Sequence, residues 1–250
     1  MINLINPKLW NFEAPWGSTV NPNTTNEIIM VPELVSFMPS KIYFMVGHGK
    51  YTGYKRGRRW NKIETTSEWG IGHIVAKDSA RTHFGTYKFR ISLPNFRGAW
   101  PAIWLVDMLP ESENGMGMPP EIDIFEHFRK DWLLTRFHMT LTFHQGPTYE
   151  NNKIDQKTYW KLWPLDKNPL SLTFHWFPDA MTWIVNGREI MKVTSNTPKF
   201  PTKPMNLLMG AGIGTMWKPQ LDKLNRPFIV HEATYDPYEI VPKRQRRISL

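Results

Sequence analysis

The sequence predicts an all-β protein, built as an antiparallel β-sandwich or jelly roll. Two observations predict this class: several segments alternate apolar and polar residues strictly, and short turn signals separate them. A third agrees, because no long amphipathic helix, internal repeat, low-complexity segment or domain-splitting linker is recognisable. We therefore expect residues 1–250 to form a single domain, with a flexible basic tail at 243–250.

Three segments carry the alternation that is typical of half-buried strands. The last of them is followed by a turn at Phe177–Ala180 and then by Asn186–Gly187, a strong signal for a tight hairpin. An antiparallel meander is therefore predicted from Leu170 to Val193. The three alternating segments are Thr86–Leu93, Arg136–His144 and Leu170–Phe177.

A further segment, Asn206–Gly214, places three glycines on one face and apolar residues on the other. A bare glycine face lets another group approach the backbone closely. The chain also contains twelve Trp, more than a core needs, so some are expected on a binding surface.

The net charge of +9 comes partly from two basic clusters, Tyr51–Arg59 and Lys243–Arg247. Such clusters attract polyanions, for example nucleic acid, a charged polysaccharide or a cell surface, but they also occur as a solvated loop and a frayed tail. Basic and aromatic residues do not interleave in a known nucleic-acid motif, so no nucleic-acid partner is expected. No apolar run approaches the ~20 residues that span a bilayer, so no membrane partner is expected.

The segment "PPEIDIFEHF" (Pro119–Phe128) crowds three carboxylates, Glu121, Asp123 and Glu126, into a predicted strand. Glu121 and Asp123 share a face, whereas Glu126 falls on the opposite face of a regular strand. A β-bulge at Ile124–Phe125 inserts one residue and brings Glu126 to the same face as the other two.

Three like charges on one face destabilise a sheet, so a purely structural strand gains nothing from them. A catalytic strand, in contrast, can use such crowding, because retaining glycoside hydrolysis needs an ionised carboxylate and a protonated carboxyl about 5–5.5 Å apart. A third carboxylate between them separates their pKa values. The alternative interpretation is a charged surface strand, since short motifs carry a false-positive risk.

The six residues Glu-Ile-Asp-Ile-Phe-Glu resemble the catalytic motif Glu-x-Asp-x-x-Glu of glycoside hydrolase family 16. The preceding segment Tyr87–Leu105, with its Trp-Pro-Ala-x-Trp, is similar to the strand pair before that motif. The segments Phe174–Ile190 and Asn206–Trp217 resemble the family's hairpin and late cleft strand. The resemblance covers about Gly85 to Trp217 and implies a jelly-roll β-sandwich of two curved antiparallel sheets with a concave substrate cleft.

Carried over to this chain, the resemblance implies that Glu121 is the nucleophile and Glu126 the acid and base. Asp123 would hold the geometry of the nucleophile and tune proton sharing. The chain departs from the family pattern at Gly210, where members often have Asn, and at Pro120, where they often have Gly.

The resemblance also implies four substrate-binding residues, although core packing is the alternative for each Trp. A metal pair formed by His138 and His144 is only weakly indicated, because a site normally needs three or four ligands. No metal ligand is therefore predicted. The family resemblance makes a structural calcium possible, at no position that the sequence identifies, and no other cofactor is expected. The four implied substrate-binding residues are Trp100, Trp104, His144 and Trp217.

These observations predict a retaining, endo-acting hydrolase of a β-linked polysaccharide. A β-1,3- or mixed-linkage glucan is the first expectation, and an algal or acidic galactan is the second. A transglycosylase, or a carbohydrate-binding adhesin on the same scaffold, remains an alternative. A monomer with a polysaccharide partner is expected, working outside the cell or on a virion, although the N-terminus shows no signal peptide.

Overall fold

The computed structural model describes residues 1–14, 17–21, 28–56, 61–107, 120–128, 135–143, 153–161, 169–197, 200–214, 219 and 221–239. Strands dominate these ranges, and the helices are single 3₁₀ turns at Pro7–Leu9, Pro32–Leu34, Asp78–Ala80 and Leu221–Lys223. The strands are β1 Ile2–Asn3, β2 Trp10–Asn11, β3 Val20–Asn21, β4 Ile28–Met30, β5 Val35–Met38, β6 Lys41–Phe44, β7 Val46–Arg56, β8 Lys62–Ile71, β9 His73–Ala76, β10 Gly85–Ser92, β11 Ala102–Val106, β12 Pro120–Phe128, β13 Thr135–Phe143, β14 Lys153–Lys161, β15 Leu170–Trp176, β16 Ala180–Val185, β17 Arg188–Thr194, β18 Asn206–Gly210 and β19 Phe228–Pro237.

Two large antiparallel sheets form the sandwich. The first, which we name the meander sheet, has the order β17-β16-β15-β10-β19-β6-β5, with β1 beside β19. The second, which we name the carboxylate sheet, has the order β14-β13-β12-β11-β18-β9-β2 and contains the acidic segment in β12. A smaller sheet, β3-β4-β8-β7, includes one parallel pair, β4 with β8. The all-β jelly-roll prediction is confirmed.

The core lies between the two large sheets because each turns one alternating face inward. In β10, Tyr87, Phe89 and Ile91 are buried while Lys88 and Arg90 are exposed. From the carboxylate sheet, β11 contributes buried Ile103 and Leu105, and within the meander sheet β16 contributes buried Trp183. These belong to one contiguous hydrophobic cluster. Truncating a buried aromatic side chain of this kind to Ala typically costs about 3–5 kcal/mol.

The predicted meander is confirmed as β15, β16 and β17, which pair in sequence. Its hairpin turn places Asn186 at φ 50° and Gly187 at φ 78°, the left-handed region that these two residue types tolerate. The first predicted strand is β10, and the second is β13, which ends one residue before His144. The predicted basic tail at 243–250 lies outside the described residues. In the described part of the chain, no helix is long and apolar enough to cross a membrane.

Candidate active site

The predicted bulge in β12 is present. Against β11, Phe125 pairs with Ile103 and Asp123 with Trp104, so Ile124 is the extra residue. Against β13, the register also shifts between Ile122 and Glu126. Ile124 and Phe125 are consecutive in sequence, yet both are fully buried in the core, as a bulge requires.

The bulge places all three carboxylates on one face of the sheet. Their partners on β11 are Val106 for Glu121, Trp104 for Asp123 and Ala102 for Glu126. Alternate residues of a strand share a face, so the three partners, spaced two apart, lie on the same side. A pocket on this face is lined by the three carboxylates and by His73, Trp100, Ala102, Trp104, Gly210, Ala211 and Gly212.

Small residues form the floor of this pocket. One row of backbone pairs runs across four strands, from Glu126 through Ala102 and Gly210 to His73. The two middle residues carry little or no side chain, and the imidazole of His73 covers Gly210 at one end of the row. Neighbouring strands lie about 4.8 Å apart, so three such spacings separate the backbones of Glu126 and His73.

Trp100 contacts the carboxylate trio directly. Its indole Nε1 donates a 3.0 Å hydrogen bond to Oε1 of Glu126. The position of the indole is set by its backbone, whose N–H donates to the carbonyl of Gly212 at 2.7 Å. A Cβ on Gly212 would lie 2.2 Å from the carbonyl oxygen of Trp100, so only glycine permits this approach.

Trp104 has a mixed environment. It lines the pocket, and it also packs against a small buried cluster of Val75, Val106 and Leu208 on the same face of the sheet. Trp104 therefore both lines the pocket and packs in a buried cluster, whereas Trp100 contacts Glu126.

His73 lines the pocket and was not predicted from the sequence. It is 6% exposed, and its Nδ1 has no hydrogen-bond partner among the described residues. Burial lowers the pKa of His73 to about 4, so the ring is neutral at physiological pH. Its ring lies over Gly210, where a Cβ would come within 2.4 Å of the imidazole Cδ2. The sequence signal for this contact was the glycine face of Asn206–Gly214. It predicted that another group lies close to the backbone there, but it did not identify that group as His73.

The electrostatics of the trio favour a shared proton. Burial raises the pKa of Glu121 to about 8, and the negative charge of Glu126 acts in the same direction. A side-chain hydrogen bond with Asp123 opposes both by lowering the pKa. Asp123 is itself 4% exposed, whereas Glu121 and Glu126 are only partly buried. Two carboxyl groups this close bind one proton as a pair, and the proton belongs to both.

The other predicted residues lie elsewhere. His144 and Trp217 are outside the described residues. His138 pairs with Glu126 through the backbone ladder of β12 and β13. Across the ranges that the structure describes, no three or more His, Asp or Glu side chains are grouped so as to hold a metal ion.

A jelly-roll sandwich with a carboxylate trio and tryptophans in one pocket has the architecture of a carbohydrate-active protein. Residues 44–226 match the model of a family described as glycosyl hydrolases family 16. The chain therefore belongs to glycosyl hydrolases family 16.

Three similar proteins illustrate the range of relatives. The β-glucanase of Rhodothermus marinus is 26% identical over 161 residues, which cover 60% of this chain and 54% of that protein. The chain thus spans about half the length of this curated relative, and less of two others. The laminarinase catalytic domain of Thermotoga petrophila superposes with a TM-score of 0.67 at 14% identity, covering 95% of both chains. The κ-carrageenase of Pseudoalteromonas carrageenovora superposes with a TM-score of 0.62 at 15% identity, covering 92% of this chain and 93% of that one.

Proposed function

We propose that this protein is a retaining, endo-acting glycoside hydrolase of a β-linked polysaccharide, most specifically a β-1,3- or mixed-linkage glucan. The observation that carries the proposal is the bulge that aligns Glu121, Asp123 and Glu126 on one face of the pocket. The named β-glucanase and laminarinase relatives support the choice of substrate. Action on a polymer of this kind takes place outside the cell or on a virion.

In the first step, Glu121 attacks the anomeric carbon while Glu126 gives its proton to the departing glycosidic oxygen. The bond from carbon to that oxygen breaks, and a glycosyl ester forms on Glu121. The Trp100 indole N–H, which already donates to Glu126, stabilises the carboxylate left behind.

In the second step, Glu126 takes a proton from water, and the water oxygen attacks the same carbon from the side of the departed chain. The ester bond breaks, Glu121 leaves as a carboxylate, and two inversions give net retention. The reaction needs the proton that Glu121 and Glu126 share to lie on Glu126 when substrate binds, whereas burial and the charge of Glu126 favour its binding to Glu121. The hydrogen bond from Asp123 favours the proton on Glu126, because it lowers the pKa of Glu121.

His73 and the two tryptophans complete the proposed sugar site. A neutral imidazole offers one hydrogen-bond donor and one acceptor, which suits the hydroxyl groups of an uncharged sugar. Indole faces stack on the apolar faces of sugar rings, and Trp100 and Trp104 both line the pocket.

A charged galactan is the second candidate substrate. The net charge of +9 favours it, because a basic surface attracts a sulfated or carboxylated polymer. The similarity in fold to a carrageenase is compatible with this alternative.

The test is a reducing-end assay over laminarin, lichenan, agarose and κ-carrageenan, with Glu121→Gln as the inactive control. Release from laminarin or lichenan by the wild type alone supports the glucanase proposal. Release only from κ-carrageenan moves the assignment to the charged galactan. Proton NMR of the first products reports the anomeric configuration, and an inverted product contradicts the retaining mechanism. Binding without cleavage identifies a carbohydrate-binding adhesin.

A further inference from the structure

One buried side chain of the meander sheet reaches across the core to the catalytic bulge. Trp183, on β16, donates a 3.2 Å hydrogen bond from its indole Nε1 to the backbone carbonyl of Asp123 on β12. Trp183 is 1% exposed, and it packs against Phe174 with ring centroids 4.7 Å apart. The bond is buried and joins residues 60 positions apart in sequence.

The bulge interrupts the regular strand pairing close to this carbonyl. Between Ile122 and Glu126, three residues of β12 face two residues of β13, so the backbone ladder is interrupted there. A buried carbonyl without a hydrogen bond costs about 1–3 kcal/mol. The indole N–H of Trp183 gives this carbonyl a donor from the opposite sheet.

The position of this bond matters for the carboxylates. Asp123 lies between Glu121 and Glu126 along the strand, and Ile124, the inserted residue, follows it directly. The same carbonyl therefore lies at the point where the strand changes face. Mutual repulsion among three carboxylates acts against the bulge, because a regular strand would return Glu126 to the other face.

We propose that Trp183 is a positioning residue for catalysis, because its indole N–H holds the bulge in the register that keeps Glu126 beside Glu121. This inference rests on the proposed function for its catalytic consequence. It adds a residue that lies in the opposite sheet, does not line the pocket and acts through the backbone of Asp123.

The chain offers a matched control in Trp176. Trp176 is also fully buried in the meander sheet, and its Nε1 donates to a backbone carbonyl, that of Pro201, at 3.1 Å. Trp183→Phe and Trp176→Phe therefore remove the same group from similar surroundings, but only the first touches the bulge. Replacing Trp183 with 3-benzothienylalanine exchanges the N–H for sulfur at nearly constant volume, which keeps the test available if Trp183→Phe does not fold.

Two readouts decide the proposal. The first is carbon-13 NMR titration of Glu side chains, with the Glu121 signal assigned by its loss in Glu121→Gln. In Trp183→Phe we expect the pKa of Glu121 to move down from about 8, because burial and the charge of Glu126, which both raise it, weaken when the bulge is no longer held. The second is steady-state kinetics on whichever polysaccharide the wild type cleaves. There we expect kcat to fall about 10–100-fold with KM changed less than about twofold.

In Trp176→Phe, we expect a comparable loss in melting temperature with neither the titration nor kcat altered. The proposal is overturned if Trp183→Phe, or the benzothienylalanine protein, titrates and turns over as the wild type does. It is also overturned if Trp176→Phe produces the same changes as Trp183→Phe. If the wild type cleaves no polysaccharide, the proposed function has failed, and the titration alone still decides whether Trp183 holds the bulge.

Discussion

Strands β12 and β15 are both interior strands of their sheets, but they differ in burial pattern and in pairing register. In β15, buried and more exposed residues alternate without interruption, and its pairing with β10 and β16 shows no register shift. In β12, four consecutive residues from Ile122 to Phe125 are buried, and the register shifts on both sides. The comparison teaches that regular alternation builds the sandwich, whereas the break in alternation builds the site.

The two strands also differ in how they bear charge. The polar side of β15 faces outward with Ser171, Thr173 and His175, which are neutral or partly solvated. The polar side of β12 presents three carboxylates to a pocket that burial and mutual repulsion make unfavourable for charge. A strand selected only for stability would resemble β15, so the unfavourable arrangement in β12 points to function.

The largest expected effect comes from removing either glutamate of β12. We expect Glu121→Gln and Glu126→Gln each to lower kcat by about 10³-fold or more, because each removes the proposed nucleophile or the proposed proton donor. The measurement is kcat on the polysaccharide that the wild type cleaves, with circular dichroism as a check of folding. Glu232→Gln, an exposed change on β19, is the control and should leave kcat unchanged. Full activity in either β12 variant would remove the catalytic assignment.

The second effect concerns the dependence of stability on pH. The pKa of Glu121 is raised from 4.5 to about 8 in the folded protein, so the folded state binds more protons than the unfolded state between these values. The stabilising contribution of Glu121 is complete below pH 4.5 and is lost as the pH rises through 8. The slope reaches at most about 1.4 kcal/mol per pH unit.

The difference between the wild type and Glu121→Gln isolates this contribution, because the histidines with lowered pKa values, His73, His175 and His231, are present in both proteins. His73 acts with the opposite sign, because its pKa is lowered from 6.5 to about 4 and its contribution is lost as the pH falls through that lower range. From pH 6.5 to 8, the melting temperature of the wild type should fall relative to that of Glu121→Gln. Parallel curves for the two proteins would show that Glu121 is ionised throughout this range.

Much of the fold could be predicted because the alternation of apolar and polar residues depends only on neighbouring positions in the sequence. The meander of β15, β16 and β17 follows from side-chain period and from the turn at Asn186–Gly187, which needs no distant contact. The bulge was also predictable, since only an inserted residue places Glu126 with Glu121 and Asp123.

His73 and Trp183 could not be predicted in the same way, because their roles depend on contacts across the structure. His73 resembles any buried strand residue until β9 pairs with β18 and brings its ring over Gly210. Trp183 resembles an ordinary core aromatic until the opposite sheet places the carbonyl of Asp123 within reach. Sequence patterns specify faces of strands, whereas contacts between sheets and between distant strands require the assembled fold.

A third, smaller effect tests the glycines that the site requires. We expect Gly212→Ala to destabilise the protein by about 1–3 kcal/mol, because its Cβ would lie 2.2 Å from the carbonyl oxygen of Trp100. Turnover should also fall, since displacing Trp100 disturbs its bond to Glu126. Gly49→Ala is the control, because the nearest atom to its Cβ is 3.9 Å away. Equal urea-unfolding midpoints for the two variants would contradict the close approach.

The smallest expected effect comes from the hairpin turn of the meander, which lies on the regular side of the comparison. Asn186, at φ 50°, accepts a 3.0 Å hydrogen bond from the backbone N–H of Ser171 through its Oδ1. We expect Asn186→Ala to cost about 1–2 kcal/mol, because Ala disfavours the left-handed region and lacks the acceptor. Asn186→Asp keeps an acceptor and tolerates this backbone, so it should cost less.

Neither variant at Asn186 should change kcat, because the turn supports the meander and does not contact the carboxylates. Urea unfolding followed by circular dichroism gives the stability, and the polysaccharide assay gives kcat. A fall in kcat at full folding would mean that the meander sheet transmits its turn geometry to β12. Coupling between the two sheets would then extend past Trp183 to the hairpin turn. Strands β15 and β12 would be coupled parts of one catalytic scaffold.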